Sequence, residues 1–353
     1  MCVTHWITNI LEFPRSIFRD RSHRPVPKAV GDDDTFRSFQ TVPTQLQDIS
    51  ILTLPPFPAE MICGELRGWM EHARTPNKPV TGVWWPKNAD QLPTTDGDLV
   101  GLYFHGGGYI IGSALTQGGF ARIPRGLIER KICARVLSID YTLVSPEEPS
   151  TSFPRQLLEA LAGYHYLLAT LHIPPQRILL VGDSAGGHLV LALARYITES
   201  GCFDACPRGV VLFSPWCDMT DLEHPGIKAF RGSHPLSLLH SPYFSASLHE
   251  PPPCWPPTFV ASGMEEVFHV SIAALVDQLR KIADVTWQQA EGIVGRYSHD
   301  FLIYDVVGRM YPARVEECWE RLGGWAAHIG HTAGDEGSLR LRSSDAQLRD
   351  SPS

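Results

Sequence analysis

The sequence RILLVGDSAGGHLVLALAR occupies residues 177–195. A short apolar, β-prone run over 178–181 reaches a serine, Ser184, flanked by glycines. An apolar helical pattern (Leu189, Val190, Leu191, Leu193, Ala194) starts almost at once. Strand, sharp turn carrying G-x-S-x-G, and helix form the context in which that pentapeptide signifies an exposed nucleophile. Gly182 and Gly186 lack the side chains that would keep strand and helix apart. The pentapeptide alone is weak evidence, and its surroundings supply the rest.

The bulk numbers narrow the field. A chain of 353 residues suits one large α/β domain with decoration, or at most two domains, and an apolar fraction of 43% supports a sizeable core. A formal charge of −8 and an absence of Lys/Arg clusters exclude a phosphate-binding surface, so no nucleic-acid partner is expected. The start, MCVTHWITNILEFPRSIFRDRSHR, has neither an uninterrupted apolar core nor a small-residue cleavage site, so no signal peptide is expected. No stretch approaches 18 apolar residues, so no transmembrane segment is expected. Trp6, Ile7, Ile10, Leu11, Phe13, Ile17 and Phe18 form an amphipathic pattern, read as a helix packed on the body rather than a membrane-surface anchor. The eight cysteines contain no C-x-x-C pair and no zinc-type spacing with histidine. Cys202 and Cys206 lie close in sequence, but free thiols fit a chain without a secretion signal. A cytoplasmic enzyme without metal or cofactor is expected.

Along the chain, residues 1–58 are irregular and read as an N-terminal lid segment and linker. Residues 61–70 and 80–85 are expected to be the first strands. DLVGLYF (98–104) is a buried-type strand, 121–132 a helix, RVLSID (135–140) a strand and 155–171 a helix. After the Ser184 unit, strands are expected over 210–213, 258–262 and 285–289, with helices over 271–282 and 313–329. The alternation implies right-handed crossovers and a mostly parallel central sheet flanked by helices, the α/β class. Residues 218–257, rich in His, Pro and Ser, are too long for an ordinary loop and read as a lid insertion. Residues 331–353 are polar and aperiodic and read as a disordered tail, which leaves 59–330 as the catalytic domain.

An acyl-transfer serine needs a base, an acid to orient the base, and N–H donors for the oxyanion. His105-Gly106-Gly107-Gly108 follows a strand and offers those donors: the backbone N–H groups of Gly107 and Gly108, with that of Ala185 from the serine turn. His105 itself is expected to hold this loop. Among 15 histidines, His299 alone follows the last strand through a Gly-containing loop, EGIVGRYSHDF, where the chain order Ser…acid…His places the base. The acid belongs just after TFVAS, where Glu265 and Glu266 both stand. Neighbouring residues point different ways, so only one of them can orient His299.

HGGG at 105–108, GDSAGG at 182–187, SPW at 214–216, H-x-F at 299–301 and YTLVSPEEPSTSFP at 141–154 resemble the hormone-sensitive-lipase branch of the α/β-hydrolase serine esterases. The likeness covers roughly residues 80–329. It implies the α/β-hydrolase fold, with a lid built from the N-terminus and from the segment after the sixth strand. It implies a cofactor-free carboxylic-ester hydrolase with Ser184 as nucleophile, His299 as base, and Gly107, Gly108 and Ala185 as oxyanion donors. The family's acid motif, D-x-L-x-D, falls in register with Glu266-Val267-Phe268-His269-Val270. Its first position is the acid, which favours Glu266, while Val270 departs from the pattern. Short- to medium-acyl esters or a small acylated metabolite are the implied partners, and a homodimer stays open. Aromatics Trp216, Tyr243, Phe244 and Trp255 are candidates for an apolar substrate pocket. Two other classes use the same scaffold. One is a non-hydrolytic dehydratase, cyclase or acyltransferase in natural-product metabolism; the other is a ligand-binding receptor, which would be expected to lose His299.

Overall fold

The structure is a computed structural model describing residues 49–92, 95, 97–115, 119–145, 147–220 and 236–346. An eight-stranded sheet runs through it: β1 (Ser50–Leu54), β2 (Val80–Trp85), β3 (Val100–Phe104), β4 (Arg135–Asp140), β5 (Ile178–Asp183), β6 (Gly209–Phe213), β7 (Thr258–Gly263) and β8 (Val285–Ala290). Their order across the sheet is β1-β2-β4-β3-β5-β6-β7-β8. β2 is antiparallel to both β1 and β4, and all later pairings are parallel.

Parallel strands need crossovers, and helices supply them on both faces. In chain order the helices are α1 (Gly64–Ala73), α2 (Arg122–Glu129), α3 (Arg155–His165), α4 (Ala185–Glu199), α5 (Leu236–Leu239), α6 (His269–Leu279), α7 (Asp305–Met310) and α8 (Pro312–Ala346). Ile178 and Leu180 of β5 point into one core with Leu157 and Leu161 of α3, Leu189 and Leu193 of α4, and Leu275 of α6. Leu179 and Val181 point into the other, with Ile123 and Leu127 of α2 and Trp319, Leu322 and Trp325 of α8. Both faces of β5 are thus buried, which is why its sequence reads as an unbroken apolar run rather than an alternation.

Residues 61–70 differ from expectation. They are not a strand but a 3-10 turn, Ala59–Met61, followed by α1. Leu66, Trp69, Met70 and Ala73 recur at i, i+3, i+4 and i+7 and form its inward face. The first strand is instead Ser50–Leu54, inside the stretch read as linker, and its half-exposed edge position explains its weak signal. The backbone of α8 continues to Ala346, past Ile329 and through the first part of the stretch read as a tail. Residues 1–48, 221–235 and 347–353, which hold much of both lid segments and the tail's end, lie outside the described residues.

Leu180 has no exposure at the centre of the strand that carries Ser184. Leu180→Ala is expected to lower the unfolding free energy by about 3 kcal/mol through lost burial and a cavity, read by urea denaturation. A loss below about 1 kcal/mol would mean the core on that face of β5 is not tightly packed.

Candidate active site

β5 ends at Asp183 and α4 begins at Ala185, so one residue makes the whole turn. That residue, Ser184, has φ 50° and ψ −113°, outside the regions favoured by a residue with a Cβ. Neighbouring backbone holds it there: Ser184 N–H donates to Phe213 O at 2.9 Å, and Ser184 O accepts from Trp216 N–H at 3.0 Å and His188 N–H at 3.1 Å. Close approach is required as well. A Cβ at Gly186 would collide with the carbonyl of Phe104 at the end of β3. The turn therefore depends on glycine at 186 for its fit and on the backbone of Phe213, Trp216 and His188 for its hydrogen bonds.

His299 follows a 3-10 turn, Gly295–Ser298, beyond β8. Its Nε2 lies 3.0 Å from Ser184 Oγ. Its Nδ1 lies 3.7 Å from Glu266 Oε1, close enough for an ion pair and too long for a direct hydrogen bond. Glu266, just past the end of β7, is buried, and its Oε2 accepts from Ser214 Oγ at 2.6 Å and Gly263 N–H at 3.0 Å. Glu265 is exposed, with its backbone N–H donating to Ser298 Oγ at 3.2 Å. Of the two glutamates, 266 is the one facing the imidazole. Val270, in register with the family's second Asp, is 80% exposed on the first turn of α6, remote from these contacts.

The His-Gly-Gly-Gly loop is anchored from beneath. Gly106 N–H donates to Asp183 Oδ2 at 2.9 Å, and Tyr103 OH donates to Asp183 Oδ1 at 2.5 Å. His105 is buried, its ring stacked on Tyr141 with centroids 4.2 Å apart and its Nδ1 2.7 Å from Gly106 O. Burial lowers its pKa to about 4, so the ring is neutral and serves the loop's shape. Tyr141 OH donates to His105 O at 2.6 Å, and Thr142 is held by Glu159 of α3. Gly107 and Gly108 have φ of 101° and 61°, in the left-handed range that glycine tolerates.

Three features escaped the sequence reading. Asp300, beside the histidine, has a left-handed backbone (φ 50°) and places Oδ2 at 3.3 Å from His299 Nε2. Ser214 bridges the site: its Oγ donates to Glu266 and accepts from Asp300 N–H at 3.0 Å. Asp183 is buried beneath the loop, its carboxyl pushed up to about 7 by burial while the bonds from Tyr103 and Gly106 pull it back. Their only sequence signals were adjacency to His299 and membership of the SPW and GDSAGG motifs. Among the aromatic candidates, Phe244 packs on Phe153 (4.6 Å) and His188 (5.5 Å), Tyr243 on Trp69 (5.0 Å) and Trp216 on Phe268 (6.0 Å). Trp255 does not join them. Its Nε1 donates to Thr258 Oγ1 at the start of β7, the opposite end of the sheet from Ser184.

A sequence model described as alpha/beta hydrolase fold matches residues 101–301, more than half of the chain. The chain belongs to the α/β-hydrolase fold family. Relatives include steryl acetyl hydrolase 1 of Saccharomyces cerevisiae, 32% identical over 139 residues, covering 39% of this chain and 30% of that protein. An acetyl-hydrolase of Streptomyces hygroscopicus is 29% identical over 193 residues, covering 49% and 59%. Versiconal hemiacetal acetate esterase of Aspergillus parasiticus is 31% identical over 149 residues, covering 41% and 42%. The matched segments thus span less than two thirds of each of these relatives. Among solved structures, carboxyl esterase 2 of Tuber melanosporum superposes with a TM-score of 0.60 at 18% identity, covering 80% of this chain and 87% of that one. The esterase of Pyrobaculum calidifontis superposes at 0.57 and 18%, covering 84% and 88%. These likenesses are of fold. Among the described residues of this α/β-hydrolase, no helix is long and apolar enough to cross a membrane.

Electrostatics around His299 are unusual. Burial disfavours its imidazolium, but the facing carboxylates of Asp300, Glu266 and Asp183 outweigh that and raise its pKa to about 9. Asp300 is itself driven well above the usual carboxylate range by burial and by Asp183 and Glu266, with His299 opposing. The two groups therefore titrate as a pair. With its pKa raised to about 9, an imidazole that still holds a proton cannot take one from Ser184. The kcat/KM for an uncharged ester is expected to rise with pH and level off above that value. Asp300→Asn removes one raising charge, so the acid limb is expected at lower pH in a kcat/KM profile. An unmoved limb would mean that Asp300 is neutral in the free protein.

Proposed function

We propose that this chain is a serine carboxylic-ester hydrolase acting on acetyl and other short- to medium-acyl esters. The observation that carries the reading is the 3.0 Å contact between His299 Nε2 and the Oγ of a serine held in a strained strand-to-helix turn. In this reading His299 takes the Ser184 proton as Oγ attacks the ester carbonyl. The tetrahedral oxyanion is met by N–H groups of Gly107, Gly108 and Ala185. Ala185 opens α4, where backbone donors have no intrahelical acceptor and the helix dipole favours negative charge. His299 then passes its proton to the leaving alcohol. Water, deprotonated by the same imidazole, releases the carboxylate from the acyl-enzyme. Glu266 orients the ring from Nδ1, and its own carboxylate is fixed by Ser214 and Gly263. The 3.7 Å gap to Nδ1 is of the kind that tightens when substrate is bound.

Support for the acyl preference comes from the relatives, two of which are named acetyl hydrolases and one an acetate esterase. Hydrolysis of p-nitrophenyl esters from acetate to decanoate is expected to peak at the short end. Ser184→Ala is expected to cost at least about a thousandfold in kcat, with Glu266→Gln costing about a hundredfold or more and Glu265→Gln leaving turnover within about twofold. Equal losses for the two glutamates would sink the acid assignment. Undiminished turnover in Ser184→Ala would sink the mechanism.

A further inference from the structure

We infer that Cys63 and Cys202 form an oxidisable pair, a disulfide site that locks α1 onto the end of the nucleophile helix α4. Their Sγ atoms lie 3.5 Å apart across 139 residues of sequence, and both side chains are half-buried, open to a small thiol reagent. The pairing that sequence proximity suggested, Cys202 with Cys206, is not the one the fold favours: Cys206 Sγ is turned to Cys254 O at 3.0 Å.

The two backbones are already held together without the sulfurs. Tyr196, in the last turn of α4, donates its hydroxyl to Met61 O at 2.6 Å and accepts from Cys63 N–H at 3.0 Å. Cys202 Sγ rests 3.4 Å from Met61 O, and both thiols lie 3.7 Å from Ser200 O. Closing the bond therefore requires no docking of distant elements, only an approach of the sulfurs to about 2.05 Å. Slack for that movement is built in. Gly64 follows Cys63 and Gly201 precedes Cys202, each in the left-handed range (φ 57° and 67°) with no atom within 4 Å of where a Cβ would stand. The cost is small, since Met61 O keeps its bond from Tyr196 and only weak thiol contacts are given up.

With glutathione disulfide as the oxidant, one cysteine thiolate attacks it, forming a mixed disulfide and releasing one glutathione. The second thiolate then displaces the other glutathione and closes the Cys63–Cys202 bond. Two thiols are oxidised, one disulfide is reduced, and the two protons end on the two released glutathiones. The bridge would close a long loop and pin α1, whose Trp69 packs on Tyr243 and Phe153, against the body of the protein.

The protein is incubated with glutathione disulfide or with dithiothreitol, alkylated, digested without reduction and mapped by mass spectrometry, with melting followed in parallel. The expected result is a Cys63–Cys202 cross-linked peptide and a melting temperature raised by roughly 5 °C. Cys63→Ser and Cys202→Ser should each abolish the shift, while Cys206→Ser retains it. Alkylation of both Cys63 and Cys202 after oxidation, capture of either only as a glutathione mixed disulfide, or a bridge to Cys206 or Cys254 would overturn the inference. Mapping of the wild-type protein decides this even if a variant fails to fold, and it is independent of whether the chain hydrolyses esters.

Discussion

Everything at this site depends on one strained residue. Ser184 alone turns the chain from β5 into α4, with a backbone conformation that costs on the order of 1–3 kcal/mol for a residue bearing a Cβ. Packing of β5 on both faces and hydrogen bonds with Phe213 of β6 and Trp216 just beyond it hold it in place. The strain has a geometric product. The hydroxyl stands at the carboxyl ends of the parallel strands, and α4 begins at the next residue. The other participants arrive on loops that follow β3, β7 and β8, all opening at that edge of the sheet.

Electrostatics add a second layer. Three carboxyl groups, on Asp183, Glu266 and Asp300, act on one imidazole, and two of them meet at a single serine. Asp183 serves the His-Gly-Gly-Gly loop, Glu266 is fixed by Ser214 and Gly263, and Asp300 is reached through its own backbone by the same Ser214. Ser214 thus couples Glu266 to the residue after His299. Crowding of carboxyls around a histidine favours the imidazolium, the form that the proposed attack by Ser184 would generate, and it makes the resting imidazolium harder to deprotonate. In the proposed mechanism, the groups that would steady the transition state also set the pH at which the reaction begins.

Much of this was legible in the sequence because it is local. The strand–serine–helix stretch, the His-Gly-Gly-Gly run and His299 all carry signals within a few residues, and the structure brings Ser184 and His299 into contact. Glu266 needed the family register, since nothing in two adjacent glutamates tells which faces inward; burial distinguishes them in three dimensions. Asp300 and Ser214 were invisible as partners because their meeting joins residues 86 apart. At the fold's edge, α1 was misread as a strand because a short apolar run supports either period, and β1 was missed because an edge strand carries half a pattern. The Cys63–Cys202 contact likewise joins segments whose proximity only the fold creates.

The central claim is that Ser184 is the nucleophile of ester turnover. Inactivation by diethyl p-nitrophenyl phosphate, followed by peptide mass mapping, tests it most directly. One diethylphosphoryl group per chain is expected, on the peptide containing Ser184, accumulating in step with the loss of hydrolysis and absent from His299→Ala. Inactivation with the label on another residue, or hydrolysis that persists once Ser184 is fully labelled, would contradict it.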